Sequence, residues 1–400
     1  MRPSPLIQPI VAGLIAAFVG FSSSFAVVLK GLAAVGASDA QAASGLTALA
    51  LAMGAAGIVM SLWTRMPVSS AWSTPGAALL AATGATVDGF PAAAGAFVVV
   101  ALLFIAAGLI RPFGRLVAAI PSPLANAMLA GVLFGLCLAP IRALIETPAP
   151  AAAIILAWLA VSRWKRLYAT PAAAIVAVMA IALGGGGVRE AVALAPGVEW
   201  ASPVFNVAAM ISLALPLFVV TMASQNLPGV AVLSAFGYRP APGPLIAVTG
   251  VFSLMAAPFG GHAVNLSAIT AALCAGEDAS PDPARRWIAA VSCGGVYLAF
   301  GLLAGPVAHF VAASPILIET VAGLALLNAF AGALHSALAD VKAREAALIT
   351  FLVAASGVSF FGVGGAFWGL VAGGAILALT QASQRGAAPA PPAAPPSQAA

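Results

Sequence analysis

Three polar clusters interrupt the apolar stretches of this sequence, and their residue types suit binding a small polar solute or passing a proton. The first reads VSSAWSTPG and sets Ser69, Ser70, Ser73 and Thr74 ahead of Pro75 and Gly76. The second closes PLFVVTMASQNLPG with Ser224, Gln225 and Asn226, followed by Pro228 and Gly229. The third reads APFGGHAVNLSAIT, where Gly260 and Gly261 precede His262 and Asn265. Amides and hydroxyls inside an apolar run are costly unless they bind a solute or one another. For Gln225 and Asn226 the competing reading is a hydrogen bond between helices; for Ser73 and Thr74 it is a bond back to their own helix. An imidazole gains and loses a proton near neutral pH, so His262 is the favoured carrier of a coupled proton, against a neutral ring that only donates a hydrogen bond. If a helix starts near His262, Asn265 three residues on shares its face. Glu319, in ILIETVAGLALLNAF, is the reserve proton site or a carboxylate near an interface with water. Trp72, Phe218 and Phe259 lie near the clusters and are able to stack on a ring, although such residues also serve as ordinary packing.

The elements that position these groups are set by composition. Of 400 residues, 62% are hydrophobic and 7% charged, against roughly a quarter charged in a soluble protein. Apolar runs of membrane-crossing length recur from Leu6 to Thr380, so the lipid bilayer is the main solvent. Gly, Pro and charge punctuation divides the chain into fourteen elements near 6–29, 44–63, 67–86, 91–110, 121–141, 149–162, 171–187, 204–226, 243–257, 258–275, 286–310, 315–338, 345–361 and 363–381. Counted as crossings, they leave only Lys30, Arg142 and Arg189 of the 16 basic residues on one side. By the positive-inside rule the crowded side, which includes both termini, is cytoplasmic. The first run is read as an uncleaved helix rather than a signal peptide, because it continues to Leu29 and more spans follow. The net charge of +5 is scattered singly between spans and gives no nucleic-acid surface. Cys137, Cys274 and Cys293 lack metal-ligand spacing, so neither a disulfide framework, a metal nor another cofactor is expected. Residues 386–400, GAAPAPPAAPPSQAA from Gly386 to Ala400, read as a disordered tail.

Laid over the first half at a shift of about 191 residues, the second half matches it at several places. Pro123 precedes Ala130-Gly131 as Pro315 precedes Ala322-Gly323, and Pro67 opens the third element as Pro258 opens the tenth. The chain is thus expected to contain two repeats, 1–190 and 200–385. A unit of seven spans enters the membrane from opposite sides in its two copies, which is the inverted-repeat design of secondary transporters. Broken helices in such proteins mark the solute site, since irregular backbone at membrane depth must line a cavity or be buried in protein. The third and tenth elements are the broken ones, and two half-helix N-termini near the midplane favour an anion.

At these residues the sequence resembles a known family. WSTPGAALL, LPLFVVTMASQNLPGVAVLSAFGY and APFGGHAVNLSAITAALCAG, with PDPARRW just after, are similar to the bacterial benzoate:proton symporters, and the resemblance runs from about Pro5 to Gln381. It implies a symporter of the bacterial cytoplasmic membrane for benzoate or a similar aromatic carboxylate, driven by protons. The family in turn resembles the nucleobase:cation symporters, which implies seven plus seven inverted spans with substrate held between the third, eighth and tenth. Those transporters carry acidic residues in the eighth and tenth spans, where this chain has Gln225, Asn226, His262 and Asn265. The loss of carboxylates suits an anionic substrate.

The resulting expectation is an all-α polytopic membrane protein that is not an enzyme and imports an aromatic carboxylate with protons. Ser73, Thr74, Gly76, Gln225, Asn226, Gly260, Gly261 and Asn265 form its substrate site. Rival readings are a carrier for another small solute, such as a nucleobase or inorganic anion, and an uncoupled anion channel. An intramembrane enzyme is disfavoured, since the chain has no HExxH or GxSxG string. A homodimer is compatible with the sequence.

Overall fold

The computed structural model describes residues 6–85, 88–183, 197–305, 314–360 and 363–386. Among the described residues a helix or a broken helix stands at each of the fourteen expected elements, although the eighth, expected to end at residue 226, continues past Pro228 to Ala235, and the chain is a mostly helical, multi-pass membrane protein. The first span is a helix pair, α1 (Ile7–Ser22) and α2 (Phe25–Ala34), followed by α3 (Asp39–Thr64). The third is broken into a strand, β1 (Ser70–Trp72), and a short helix, α4 (Thr74–Thr83). Next come α5 (Gly89–Leu109), the short α6 (Arg111–Ala118), α7 (Ser122–Cys137), α8 (Ala139–Glu146), α9 (Pro148–Trp164) and α10 (Ala169–Leu183). The second half runs α11 (Val207–Ala235) and α12 (Pro242–Ala256), then the broken tenth element, β2 (Val264–Leu266) with α13 (Ile269–Ala275). It ends with α14 (Trp287–Leu302), α15 (Pro315–Leu338), α16 (Arg344–Ala355), a hairpin of β3 (Ser359–Phe360) and β4 (Val363–Gly364), and α17 (Gly365–Gly386). The proline-rich tail beyond Gly386 and the boundary expected between the repeats lie outside the described residues.

Local chemistry sets the ends. Helix α3 opens with a reciprocal cap: Ser38 Oγ accepts from Gln41 N at 3.2 Å and Gln41 Oε1 accepts from Ser38 N at 3.0 Å. It stops at Arg65, whose φ of 55° is left-handed. Within the membrane, intrahelical pairing satisfies the backbone, and packing selects small residues where helices cross closely. A Cβ on Gly54 of α3 would lie 2.7 Å from the Gly294 carbonyl of α14, and one on Gly294 would lie 2.6 Å from the Gly54 carbonyl. Neither position accepts a side chain without separating the helices.

The helices sort into two bundles, each drawing on both halves of the chain. In one, α3 packs on α14, α5 on α12, α1 on α14 and α2 on α4. In the other, α15 and α16 pack on α7, α17 on α16 and α10 on α9. The bundles meet where α4 and α11 touch α7 and where α2 touches α15.

One expectation is corrected. The tenth element does not turn helical near His262; Gly260 turns the chain at φ +89°, residues 261–263 run without helix into β2, and α13 starts only at Ile269. Side chains alternate sides along extended chain, so His262 and Asn265 do not share a helix face. The reason lies in the partner: β1 is already extended, and the unpaired backbone of both breaks is satisfied by pairing strand with strand.

Candidate functional site

The two broken elements meet in an antiparallel pair, with Ser70 opposite Leu266, Ala71 opposite Asn265 and Trp72 opposite Val264. Two further bonds extend the ladder, Ser73 N to Ala263 O and Ser267 N to Ser69 O, each at 3.0 Å. Ser69 and Thr270 hydroxyls meet at 2.7 Å, and Ser70 Oγ donates to the Met53 carbonyl of α3 at 2.5 Å. Because the strands are antiparallel, α4 and α13 leave the crossing at opposite ends.

Helix α11 runs alongside. It contains two π-helical turns, Met210–Ala214 and Met222–Asn226. Pro216 and Pro228 have no N–H to give the carbonyls four residues earlier, and the helix widens at those turns. The second π turn carries Gln225 and Asn226. Asn226 is buried; its Oδ1 accepts the Leu266 N–H of β2 at 2.9 Å, and its amide nitrogen donates to Met222 Sδ at 3.3 Å. Four residues before Gln225, Thr221 meets the Ser73 hydroxyl at 2.7 Å. Thr221 was not singled out in the sequence, although its spacing from Gln225 places both on one side of a helix.

Ser73 holds the junction together. Its Oγ accepts from Gly76 N at 3.0 Å, and its carbonyl accepts from both Ala77 N at 2.8 Å and His262 Nε2 at 2.9 Å. A carbonyl only accepts, so Nε2 of His262 carries the hydrogen. The His262 ring is fully buried in a T-shaped contact with Phe97, centroids 6.2 Å apart, and its Nδ1 has no partner among the described residues. Asn265 is buried likewise; its amide donates to the Leu266 carbonyl at 2.8 Å while Oδ1 is unpartnered among the described residues.

Burial divides the eight expected substrate residues. Ser73, Gly76, Asn226, Gly260, Gly261 and Asn265 are buried, whereas Thr74 and Gln225 are partly exposed. Thr74 follows Ser73, and Gln225 is one turn beyond Thr221, so both border the Ser73–Thr221 bond. At the other end of the crossing Ile269 is 68% exposed. Gly76 is needed for packing: a Cβ there would come within 2.4 Å of Leu217 Cδ1 on α11. The N-terminus of α4 offers fewer free N–H groups than a bare helix terminus. Ser73 takes the N–H groups of Gly76 and Ala77 and Pro75 has none, which leaves that of Thr74.

The aromatic candidates do not converge. Trp72 is buried against Phe21, with ring centroids 5.1 Å apart, and donates from Nε1 to Ser24 Oγ at 2.8 Å. Phe218 lies between Phe104 and Phe113, and Phe259 sets its face against the edge of Trp200 or the reverse, at 85° between ring planes. Glu319 is remote from the crossing in the contacts it makes: it pairs with Lys30 of α2 at 2.6 Å. In the loop after α13, the PDPARRW string is structural. Asp282 accepts from Ala284 N, and the buried Arg286 donates to the Ser280 and Ala275 carbonyls at 2.8 and 2.7 Å, tying down the C-terminus of α13.

Crossed half-helices within two mixed bundles define a transporter fold. The transmembrane domain of a cyanobacterial bicarbonate transporter, BicA, superposes with a TM-score of 0.60 at 16% identity, covering 93% of this chain and 98% of that one. The murine anion transporter Slc26a9 in its inward-facing state gives 0.64 at 13% identity, over 96% of this chain and 69% of that one. The chain matches the benzoate membrane transport protein family, BenE, over residues 5–379, and it belongs to that family. It is 41% identical over 367 residues to the inner membrane protein YdcO of Escherichia coli K12, covering 91% of this chain and 94% of that protein. It is 31% identical over 365 residues to the benzoate membrane transport protein of Acinetobacter baylyi, covering 91% and 92%.

Proposed function

We propose that this protein imports benzoate or a similar aromatic carboxylate across the bacterial cytoplasmic membrane together with protons, with both termini in the cytoplasm and residues 1–190 and 200–385 as its inverted repeats. The observation that carries this reading is the chemistry of the crossing: β1, α4, α11, β2 and α13 contain no Asp or Glu. An anion entering there meets the Thr74 N–H and hydroxyl and the Gln225 amide without a like charge. Ser73, Gly76, Asn226, Gly260, Gly261 and Asn265 support the site from behind. Coupling is required on energetic grounds. An inside-negative potential opposes entry of a monovalent anion by about 2.3 kcal/mol per 100 mV, and a proton moving with it cancels that charge. His262, fixed to the Ser73 carbonyl and enclosed, has less support as the proton carrier than Glu319, which is partly exposed between the bundles.

The test is accumulation of radiolabelled benzoate in proteoliposomes under an inward proton gradient, with protein-free liposomes correcting for passive entry. Uptake above equilibrium that an uncoupler abolishes is the expected result. Protein that neither binds nor moves benzoate under any gradient ends the substrate assignment, and competition with nucleobases and inorganic anions then finds the replacement.

A further inference from the structure

A second polar feature lies away from the crossing. Lys30, near the end of α2, reaches Glu319, in the second turn of α15, with 2.6 Å between Nζ and Oε2 and with 29% and 28% of the side chains exposed. This ion pair joins the two bundles at the end of the molecule opposite Arg65, Arg111 and Lys342. Around it is a cavity of about 370 Å³ walled by Ala26, Leu29, Ala33, Pro315 and Ile318, with Asp39 at the start of α3. Its size falls in the range of about 300–1,000 Å³ usual for small-molecule sites. Apolar walls around one cation suit an amphiphile with a flat apolar body and a single carboxylate. Helix α2, which carries Lys30 on the cavity, also packs against α4: a Cβ on Gly31 would lie 2.3 Å from the Ala77 carbonyl.

We propose that Lys30 is a recognition residue for the substrate carboxylate on its way to the crossing, distinct from the Thr74 and Gln225 groups that meet it there, and that Glu319 occupies Lys30 in the empty carrier. This deepens the proposed symport and rests on it. The substrate carboxylate and the Glu319 carboxylate compete for one ammonium group. When the substrate takes Lys30, Glu319 is left without a cation, beside a second anion and with Asp39 on the same cavity wall. Those are the charged groups facing it from α2, α3 and α15 among the described residues. Taking up a proton relieves the repulsion, so each carboxylate bound brings about one proton with it, and by linkage protons tighten substrate binding. The exchange also parts α2 from α15, so the same event that loads the carrier unlatches the two bundles.

The experiment is equilibrium binding of radiolabelled benzoate to purified protein between about pH 5 and pH 8, beside proteoliposome uptake. In the wild type, affinity rises as pH falls, by up to about tenfold per pH unit for one linked proton. Glu319→Gln, nearly isosteric, binds with an affinity independent of pH and exchanges benzoate across the membrane but no longer accumulates it. Lys30→Gln loses at least about tenfold in affinity, the scale of a lost charge-assisted hydrogen bond. A Glu319→Gln protein with the wild-type pH dependence and accumulation overturns the proposal, as does a Lys30→Gln protein with wild-type affinity. A wild type inert toward benzoate is a different outcome, because it removes the parent reading before either variant is compared.

Discussion

The two broken elements hold equivalent places in the two halves, yet they are stabilised from opposite ends. In the first, the single residue Ser73 separates β1 from α4 and caps the helix while bonding Thr221 and His262. In the second, α13 starts two residues after β2, its N-cap residue Ala268 has no capping side chain, and the helix is seven residues long. It is secured at its far end by Arg286, which reaches in from the loop. A shared strand pair therefore joins one helix fixed at its N-terminus to one fixed at its C-terminus. The difference teaches that the repeat is symmetric in topology and asymmetric in chemistry. The free N-terminal N–H falls to α4, while α13 serves as a strut held at its C-terminus by Arg286.

Removing the strut's anchor is the largest perturbation this comparison predicts. Arg286→Ala strips charge-assisted bonds from two carbonyls in a buried place, and the expected loss is about 3 kcal/mol, read as a lower unfolding midpoint in detergent. Arg286→Lys keeps the charge without the planar fork and should recover part of it. An unchanged midpoint in Arg286→Ala would show that α13 needs no external anchor. Asn226→Ala comes next: it leaves the Leu266 N–H unpaired in a buried strand, at about 1–3 kcal/mol. The adjacent Gln225→Ala should change stability by less than about 0.5 kcal/mol, as for a substitution with no buried partner. Its effect should appear as weaker benzoate uptake. Equal destabilisation by both would erase the division between supporting and solute-facing amides.

Much of this architecture was legible in the sequence because bilayer physics leaves few options. The apolar runs and their punctuation locate the fourteen elements, except that Pro228 and Gly229 do not end the eighth, and WSTPG and PFGGH mark the third and tenth as the broken ones. The sequence alone misplaces the start of α13, because glycines announce that a chain can turn without saying what it does next. Only the partner β1 makes residues 264–266 a strand. Thr221 escaped notice as one hydroxyl in an apolar helix; its role comes from facing Ser73 across 148 positions of sequence. Lys30 looked like a topology marker, and nothing local in FAVVLKGLAA points to Glu319, because that pairing exists only once the two bundles dock. Composition reveals the polar clusters, but which members stay accessible and which brace the crossing is a matter of burial, and burial is a property of the folded chain.

The smallest effect is also the sharpest test of the asymmetry. Ser73 and Ser267 each follow a strand of the same pair and precede a half-helix, so a symmetric mechanism would treat them alike. Ser73 makes a 3.0 Å cap to Gly76 and a 2.7 Å bond to Thr221, whereas Ser267 makes a longer bond, 3.3 Å, from Thr270 N. Loss of a serine cap costs about 1 kcal/mol, so Ser73→Ala should lower stability by about that much and also weaken benzoate binding, since Thr74 depends on the same turn for its position. For Ser267→Ala only a few tenths of a kcal/mol are expected, in keeping with a long bond near the geometric limit, and benzoate binding should hold. If Ser267→Ala instead matches Ser73→Ala in both readouts, α13 contributes its N-terminus to the solute after all, and the two half-helices act as a symmetric pair.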